Sequence, residues 1–499
     1  MKQLHENRAA IGAIQAVATR QPGRRGLAAG VAAALFGVAG AAAAAEPVAI
    51  YRFGGYEGAN PTGALVAAPD GYFYGTTAFG LIGAVDPRSG YGSIFRIRPD
   101  GSGFAPIHAF DGSTEGNDPE APLIRGVDGA LYGMTASGLD SAPFGTLFRL
   151  QTDGSFRVIH TFNGSDGAQL TGALAQDSAG VLYGTAASGG SNNFGLVFSV
   201  RSDGSGFKIL HEFAQDADGF GPRGGLTLAS DGRLYGTTAG DWGNPGTVYS
   251  IERDGSGFKV LHRFDWEKKD GAASTSRLVE AADGAFYGTT SGGGAYCDCG
   301  TLFRVDKAGN FKSLHSFKRE LDGVGAFAEP LLAPDGYIYG TTLYGASSGS
   351  FGAAWKIDKS GKLVGLQPYT AALNLATTPL SYGADGQLYG TSAAPDAGSV
   401  YRLDPTTFAA PPLMAPEVSI GVQPRQVKAG GRALLSWNVV DTSGAAQCAA
   451  SGAWTRLPAQ RERKLLVAPD APGNYAYTLT CSNAAGTASA TATLKVSAP

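Results

Sequence analysis

Charge is scarce in this chain. Of its 499 residues only 16% are charged, and no run of basic residues occurs. A nucleic-acid backbone needs such a run, so nucleic acid is not an expected partner. Cysteine is limited to four residues, and no Cys or His pairs stand at the spacing of a zinc site. There is no phosphate-binding Gly-x-x-x-x-Gly-Lys, no Gly-x-Ser-x-Gly elbow and no His-Glu-x-x-His. No cofactor, no metal and no catalytic constellation is therefore expected. Paired carboxylates that meet only in space stay open. Long apolar runs are missing after the N-terminus, which argues against a transmembrane helix in the mature chain. Helical periodicity is missing there too.

The N-terminus has its own order. Arg20, Arg24 and Arg25 precede an apolar stretch from Leu27 to Ala39, and small residues ending Ala43-Ala44-Ala45 lead to Glu46-Pro47. Basic, apolar, then A-x-A is the order of a secretory signal, so residues 1–45 read as a signal peptide. An anchoring helix is the alternative, though this core is short and weakly apolar for a span. The Arg24-Arg25 pair admits twin-arginine export beside the ordinary route. An exported protein is expected, in the periplasm, on the cell surface or in the medium. Cleavage removes five of 39 basic residues and one of 42 acidic ones, leaving a net charge of −7.

What the chain does have is glycine and repetition. Its 75 glycines are about twice the usual share and imply many tight turns. Tyr-Gly-Thr or a close variant opens at Tyr74, Tyr132, Tyr183, Tyr235, Tyr287, Tyr339 and Tyr389, with spacings of 58, 51, 52, 52, 52 and 50 residues. Such a period marks a repeat architecture. In the fourth copy, Gly225–Ala229 and Arg233–Thr238 flank Asp231-Gly232, and Gly246–Ile251 and Phe258–Phe264 flank Asp254-Gly255. Asp-Gly between apolar, β-branched runs is a strong hairpin signal. The first turn is Asp-Gly in six copies, with Ala179-Gly180 the exception. Each copy thus predicts one four-stranded sheet.

The array starts on a lone fourth-type strand, Val48–Phe53, and stops on a third-type strand, Ser399–Asp404. Pairing those two would close a ring and remove the open edges. The expected fold is all-β: a seven-bladed β-propeller over residues 46–404, closed by its N-terminal strand. A Pro-rich linker follows at 405–416, with Pro405, Pro411, Pro412 and Pro416. Short alternating strands over 417–499 predict a small immunoglobulin-like sandwich. Cys448 and Cys481 are expected to form a disulfide there. The order differs from an antibody domain, because Cys448 follows Trp437.

The string Leu-Tyr-Gly-Thr-Thr, then Gly-Thr-Val/Leu-Phe, then Leu-His-x-Phe resembles the GloVer tandem-repeat family over residues 48–404. The resemblance implies an exported bacterial protein of a family whose functions are mostly unassigned and whose members carry various anchoring tails. It supplies no catalytic residue. Residues 417–499 resemble the Ig-like tails of bacterial surface proteins, as adhesin or plain spacer.

Histidine recurs at one strand position in five copies, at His108, His160, His211, His262 and His315, which reads as structural. The repeated Tyr and Thr read as packing between sheets, with Gly236 where a neighbouring sheet comes close. Cys297 and Cys299 stand in a fifth-copy loop, spaced for a small local disulfide. Asp216-Ala217-Asp218-Gly219 only faintly resembles a calcium loop, lacking the later Glu. Binding is expected where the copies differ, on the face that carries the long second–third and fourth–first loops. The chosen residues there are Tyr56, Asn117, Asp118, Asn192, Asp241, Trp242, Trp266 and Tyr296. Glu57, Tyr91, Glu115, Asn193, Asn244, Tyr344 and Phe351 share that face. Aromatics beside Asn and Asp suit a glycan or an extracellular protein. The expected function is a monomeric, non-enzymatic, exported binding or surface-interaction protein. A propeller lyase or hydrolase acting on polysaccharide and a purely structural envelope component are the alternatives.

Overall fold

The computed structural model describes residues 46–498 except 81–89, 216–217, 241–242, 346–350, 371–372, 374–377, 394–396, 413, 441–445 and 455–463. Among the described residues there is no α-helix. Seven antiparallel sheets lie between Val48 and Leu403, and two further sheets between Glu417 and Ser497.

The fourth copy shows the common plan. Its strands are Leu226–Leu228, Leu234–Thr238, Thr247–Ile251 and Lys259–Arg263, hydrogen-bonded in chain order. The first turn needs a residue at positive φ, and Gly232 supplies it at 84°. The turn is also stapled from inside the sheet. Tyr235 donates its hydroxyl hydrogen to Asp231 Oδ2 at 2.7 Å, and Asp231 Oδ1 accepts from the Arg233 N–H at 3.2 Å. Tyr74 with Asp70, Tyr132 with Asp128, Tyr339 with Asp335 and Tyr389 with Asp385 repeat the bond at 2.6–2.8 Å. The third copy lacks Asp-Gly, yet Tyr183 finds Asp177 at 3.0 Å. Asp177 also accepts from the N–H groups of Ala179 and Val181, so the staple survives a change of turn sequence.

The glycine of Tyr-Gly-Thr answers to its own sheet, which corrects the expectation of a neighbouring sheet. Gly236 pairs with Tyr249 on the third strand, and a Cβ there would lie 2.5 Å from the Tyr249 hydroxyl oxygen. At Gly340 the same atom would lie 2.2 Å from the Trp355 ring. A third-strand aromatic ring lies flat across each glycine, and no side chain fits beneath it.

Packing between copies falls to the apolar rings on either side. One buried cluster joins Tyr74 and Ile94 of the first copy to Leu131 and Phe148 of the second. Another joins Tyr389 and Val400 of the last copy to Phe73 and Phe95 of the first. Last and first also meet through the backbone. Val48–Arg52 pairs antiparallel with Ser399–Leu403, supplying the fourth strand that the seventh sheet lacks.

The last two sheets, with strand sets Glu417–Gln423, Ala433–Val440, Lys464–Val467 and Gln426–Lys428, Gly473–Asn483, Gly486–Ser497, Gln447–Gly452, share a core that includes Leu435, Trp437, Tyr477 and Leu479. Cys448 and Cys481 are disulfide-bonded. They are also direct partners on neighbouring strands of one sheet, so the bridge staples strands rather than sheets.

Candidate functional site

The loop residues chosen from the sequence are mostly held within their own copies. Asn117 accepts a hydrogen bond from the Ser137 hydroxyl at 2.7 Å and bridges Ser137 through the backbone. Asp118 takes a positive φ of 58°, and its carbonyl accepts from the Ala136 N–H at 3.0 Å. Asn193 accepts from the Gly189 N–H at 2.9 Å, and Asn244 donates to the Gln215 carbonyl at 2.8 Å. Glu57 accepts from the Gly54 N–H and the Tyr51 hydroxyl. Tyr91 lies over Gly112, and Phe351 packs into a core cluster. Asn192, Tyr56 and Tyr296 are exposed, in the third, first and fifth copies. The Lys318 ammonium sits 5.2 Å from the Tyr296 ring centre. Trp266 is half-buried beside Gly292, and Tyr344 is exposed. Asp241 and Trp242 lie outside the described residues, as does part of the Asp216–Gly219 segment. Cys297 and Cys299 are joined by a disulfide.

The five histidines form one repeated clamp. Each Nε2 meets a carboxylate six to eight residues later: Glu115 at 3.0 Å, Asp166 at 3.0 Å, Asp218 at 2.6 Å, Asp270 at 3.1 Å and Asp322 at 2.5 Å. The same carboxylates accept backbone N–H groups of the loop they sit in, such as Ala214 to Asp218 at 2.7 Å and Lys318 to Asp322 at 2.7 Å. A β-bulge in the fourth strand precedes each of the five histidines and re-aims it. The ring then stacks on the Phe that opens the next fourth strand: His108 on Phe156 at 3.6 Å, His160 on Phe207 at 4.0 Å, His211 on Phe258 at 3.8 Å and His262 on Phe311 at 3.7 Å. Burial pushes His108 below its ordinary pKa, against the pull of Glu115. Glu115 and Asp218 are thus loop clamps rather than free ligands. Among the carboxylates that could have converged for catalysis, Glu57, Glu115 and Asp298 each bind within their own loop.

A different set converges. Each fourth–first loop delivers the chain to its inner strand just before a core Leu or Pro: Leu65, Leu123, Leu174, Leu226, Leu278, Pro330 and Leu380. The residues one to three positions earlier, from all seven copies, line one cavity of about 150 Å³. Most are small, and the strands come very close: a Cβ on Gly224 would lie 2.3 Å from the Ser276 carbonyl oxygen. Four are charged. Glu120 and Arg223 stand three positions before the core residue, and Arg277 and Glu329 one position before it.

Their chemistry divides. Arg277 donates to Glu329 through Nε at 2.8 Å and Nη2 at 3.1 Å, a two-pronged pair that fixes both side chains. The Glu329 charge raises the Arg277 pKa further. Glu120 and Arg223 face the same cavity without touching. Burial raises the Glu120 pKa, and the Arg223 charge only partly offsets it. Arg223 is exposed at the mouth, and its Nη2 donates to Gln169 Oε1 at 3.4 Å. Thr171 lines the wall with a buried hydroxyl that has no hydrogen-bond partner among the described residues. Phe327 lines it with a ring 39% exposed. Sequence reasoning missed this set because it searched the loop tips. The signal was there: at the two positions the copies otherwise carry Thr, Phe, Ala, Gly or Pro, and four of them carry a Glu or an Arg.

No curated protein matches the chain. Among solved structures, it is similar to the extracellular domain of a protein described as a hybrid two-component system from B. thetaiotaomicron, at 12% identity and a TM-score of 0.45, over 88% of this chain and 56% of that one. It is similar also to a protein described as a 6-phosphogluconolactonase from Bacteroides uniformis, at 17% identity and a TM-score of 0.43, over 64% and 90%. A third is TolB from Acinetobacter baumannii, at 13% identity and a TM-score of 0.35, over 55% and 58%. The chain spans little more than half the length of the first of these. The sequence profile of the Gloeobacter/Verrucomicrobia repeat matches residues 41–244 and 230–424. With most of its length in those two spans, the chain belongs to the Gloeobacter/Verrucomicrobia repeat family.

Proposed function

We propose that this chain is an exported, non-enzymatic binding protein. In this reading residues 1–45 are a signal peptide, 46–404 a seven-bladed propeller closed by its N-terminal strand, 405–416 a linker and 417–499 an Ig-like sandwich. The propeller holds a glycan or an extracellular protein on the face where the fourth–first loops enter the inner strands. One observation carries the reading: all seven copies contribute to one cavity, and the copies differ in charge at positions that line it. A rigid scaffold with variable residues at one focus is the usual construction of a binding site. The histidine clamps favour binding over catalysis, because each histidine already holds a loop carboxylate.

A glycan array probed with the full chain tests this. Saturable binding to a subset of glycans is expected, weakened at least tenfold by Arg277→Gln or by Tyr296→Ala. Silence on the array, with no protein partner retained from the organism's secreted fraction, would remove the reading.

A further inference from the structure

We infer that the cavity at the inner strands takes a small hydroxycarboxylate, with the carboxylate on Arg223 and a hydroxyl between Thr171 and Glu120. This rests on the binding reading above and names the chemistry of one subsite.

The charges decide the class of ligand. Glu329 already neutralises Arg277 in a two-pronged pair. Among the described residues Arg223 has no carboxylate within ion-pair distance, and its hydrogen bond to Gln169 is long at 3.4 Å. A guanidinium offers a flat fork of donors that matches a carboxylate. The cavity thus presents one guanidinium that, among the described residues, has no ion pair, and its charge favours an anion over a neutral sugar.

The second contact follows from the adjoining strand of the third copy, which pairs with the Arg223 segment through Ala173 and Gly225. Among the described residues the buried Thr171 hydroxyl has no partner, a costly state that a ligand oxygen would relieve. Glu120 faces the same space, and its carboxyl oxygens accept a hydrogen bond from a ligand hydroxyl. The volume of about 150 Å³ is below the ~300–1,000 Å³ of drug-sized pockets. Phe327 adds apolar surface to the lining for the carbon chain of such a ligand.

Isothermal titration of the purified full chain with gluconate and with glucitol tests this. The two probes differ only in carboxylate against hydroxymethyl. Gluconate is expected to bind saturably and at least tenfold more tightly than glucitol. Arg223→Gln should lose that preference with an unchanged thermal midpoint, because Arg223 is exposed. Thr171→Val is the second variant and should weaken gluconate severalfold. Equal binding of both probes, full gluconate affinity in Arg223→Gln, or no gluconate binding would each overturn the inference. Glycans bound on the array with gluconate silent would sink this subsite alone. Silence in both would sink the binding role with it.

Discussion

Ser381 donates its hydroxyl hydrogen to the Leu65 carbonyl at 2.6 Å, joining the inner strand of the last repeat to that of the first across 316 residues. Thr391 reaches the Pro61 carbonyl in the same direction at 3.4 Å. Its counterparts Thr237 and Thr289 reach Ser276 at 3.1 Å and Ala328 at 2.7 Å in the next copy. The junction between last and first is therefore made with the same bonds as the internal junctions.

Closure makes the first strand a stability element. Deleting residues 48–53 removes the partner of Ser399–Leu403 and the buried Phe53. The truncated protein should lose about 3 kcal/mol or more, from the buried rings alone. It should also unfold over a broader range in differential scanning calorimetry. An unchanged, equally sharp transition would show that the strand does not close the ring.

The Tyr–Asp staples set both edges of the pH range. At Asp231 and Asp335 burial alone would raise the pKa, but bonds from Tyr235 and Tyr339 and from backbone N–H groups outweigh it and lower it. A lowered carboxylate stabilises above its unfolded value of 3.8 and loses that stability as pH falls through its folded value. The tyrosines behave in the opposite sense. Burial, then the bond to Asp, raises Tyr74 and Tyr183 from 10.0 to about 12. Their contribution is complete below pH 10 and declines as pH rises toward 12. Urea midpoints should therefore be flat from about pH 5 to 9 and fall on both sides. Tyr235→Phe should cost about 1–2 kcal/mol at neutral pH and flatten part of both falls.

The histidine clamps predict local rather than global effects. His262→Ala leaves Asp270 buried without its ring partner and frees the loop from Asp265 to Ala272. Stability should fall by about 1–3 kcal/mol. Hydrogen exchange should quicken most at the Asp265 amide and at the Ala272 amide that bonds Gly292. Uniform acceleration across all copies would refute a loop-specific role.

The two disulfides should differ sharply in weight. Cys448 and Cys481 are 33 residues apart, and closing such a loop is worth about 3–4 kcal/mol in the chain-entropy account. Cys297 and Cys299 are two apart and constrain little chain. Cys448→Ser with Cys481→Ser should lower the transition of residues 417–498 and leave that of the repeats in place. Cys297→Ser with Cys299→Ser should move the midpoint by less than about 1 kcal/mol equivalent, read by calorimetry.

Much of the repeat was legible in residues. Asp-Gly turns, alternating strands and the orphan fourth-type and third-type strands at the two ends depend on local propensity and period, which a sequence displays directly. The Asp177 staple was not legible, because it stands outside the Asp-Gly pattern and is recognised only by where its carboxylate arrives. Nor were the histidine partners. Their offset from each histidine varies from six to eight residues, and a bulge sets the final aim.

The sequence by itself determined the sheets, their order and the matching of the two ends, since strand period and turn chemistry act over a few residues. It also showed that Tyr-Gly-Thr is scaffold, by repeating it seven times. Only the tertiary structure decided which differences between copies matter. Glu120, Arg223, Arg277 and Glu329 lie in four different repeats, up to 209 positions apart in the chain. They share one cavity because each inner strand is delivered to the same place. Convergence of that kind depends on the arrangement of whole sheets, and no local stretch of sequence encodes it.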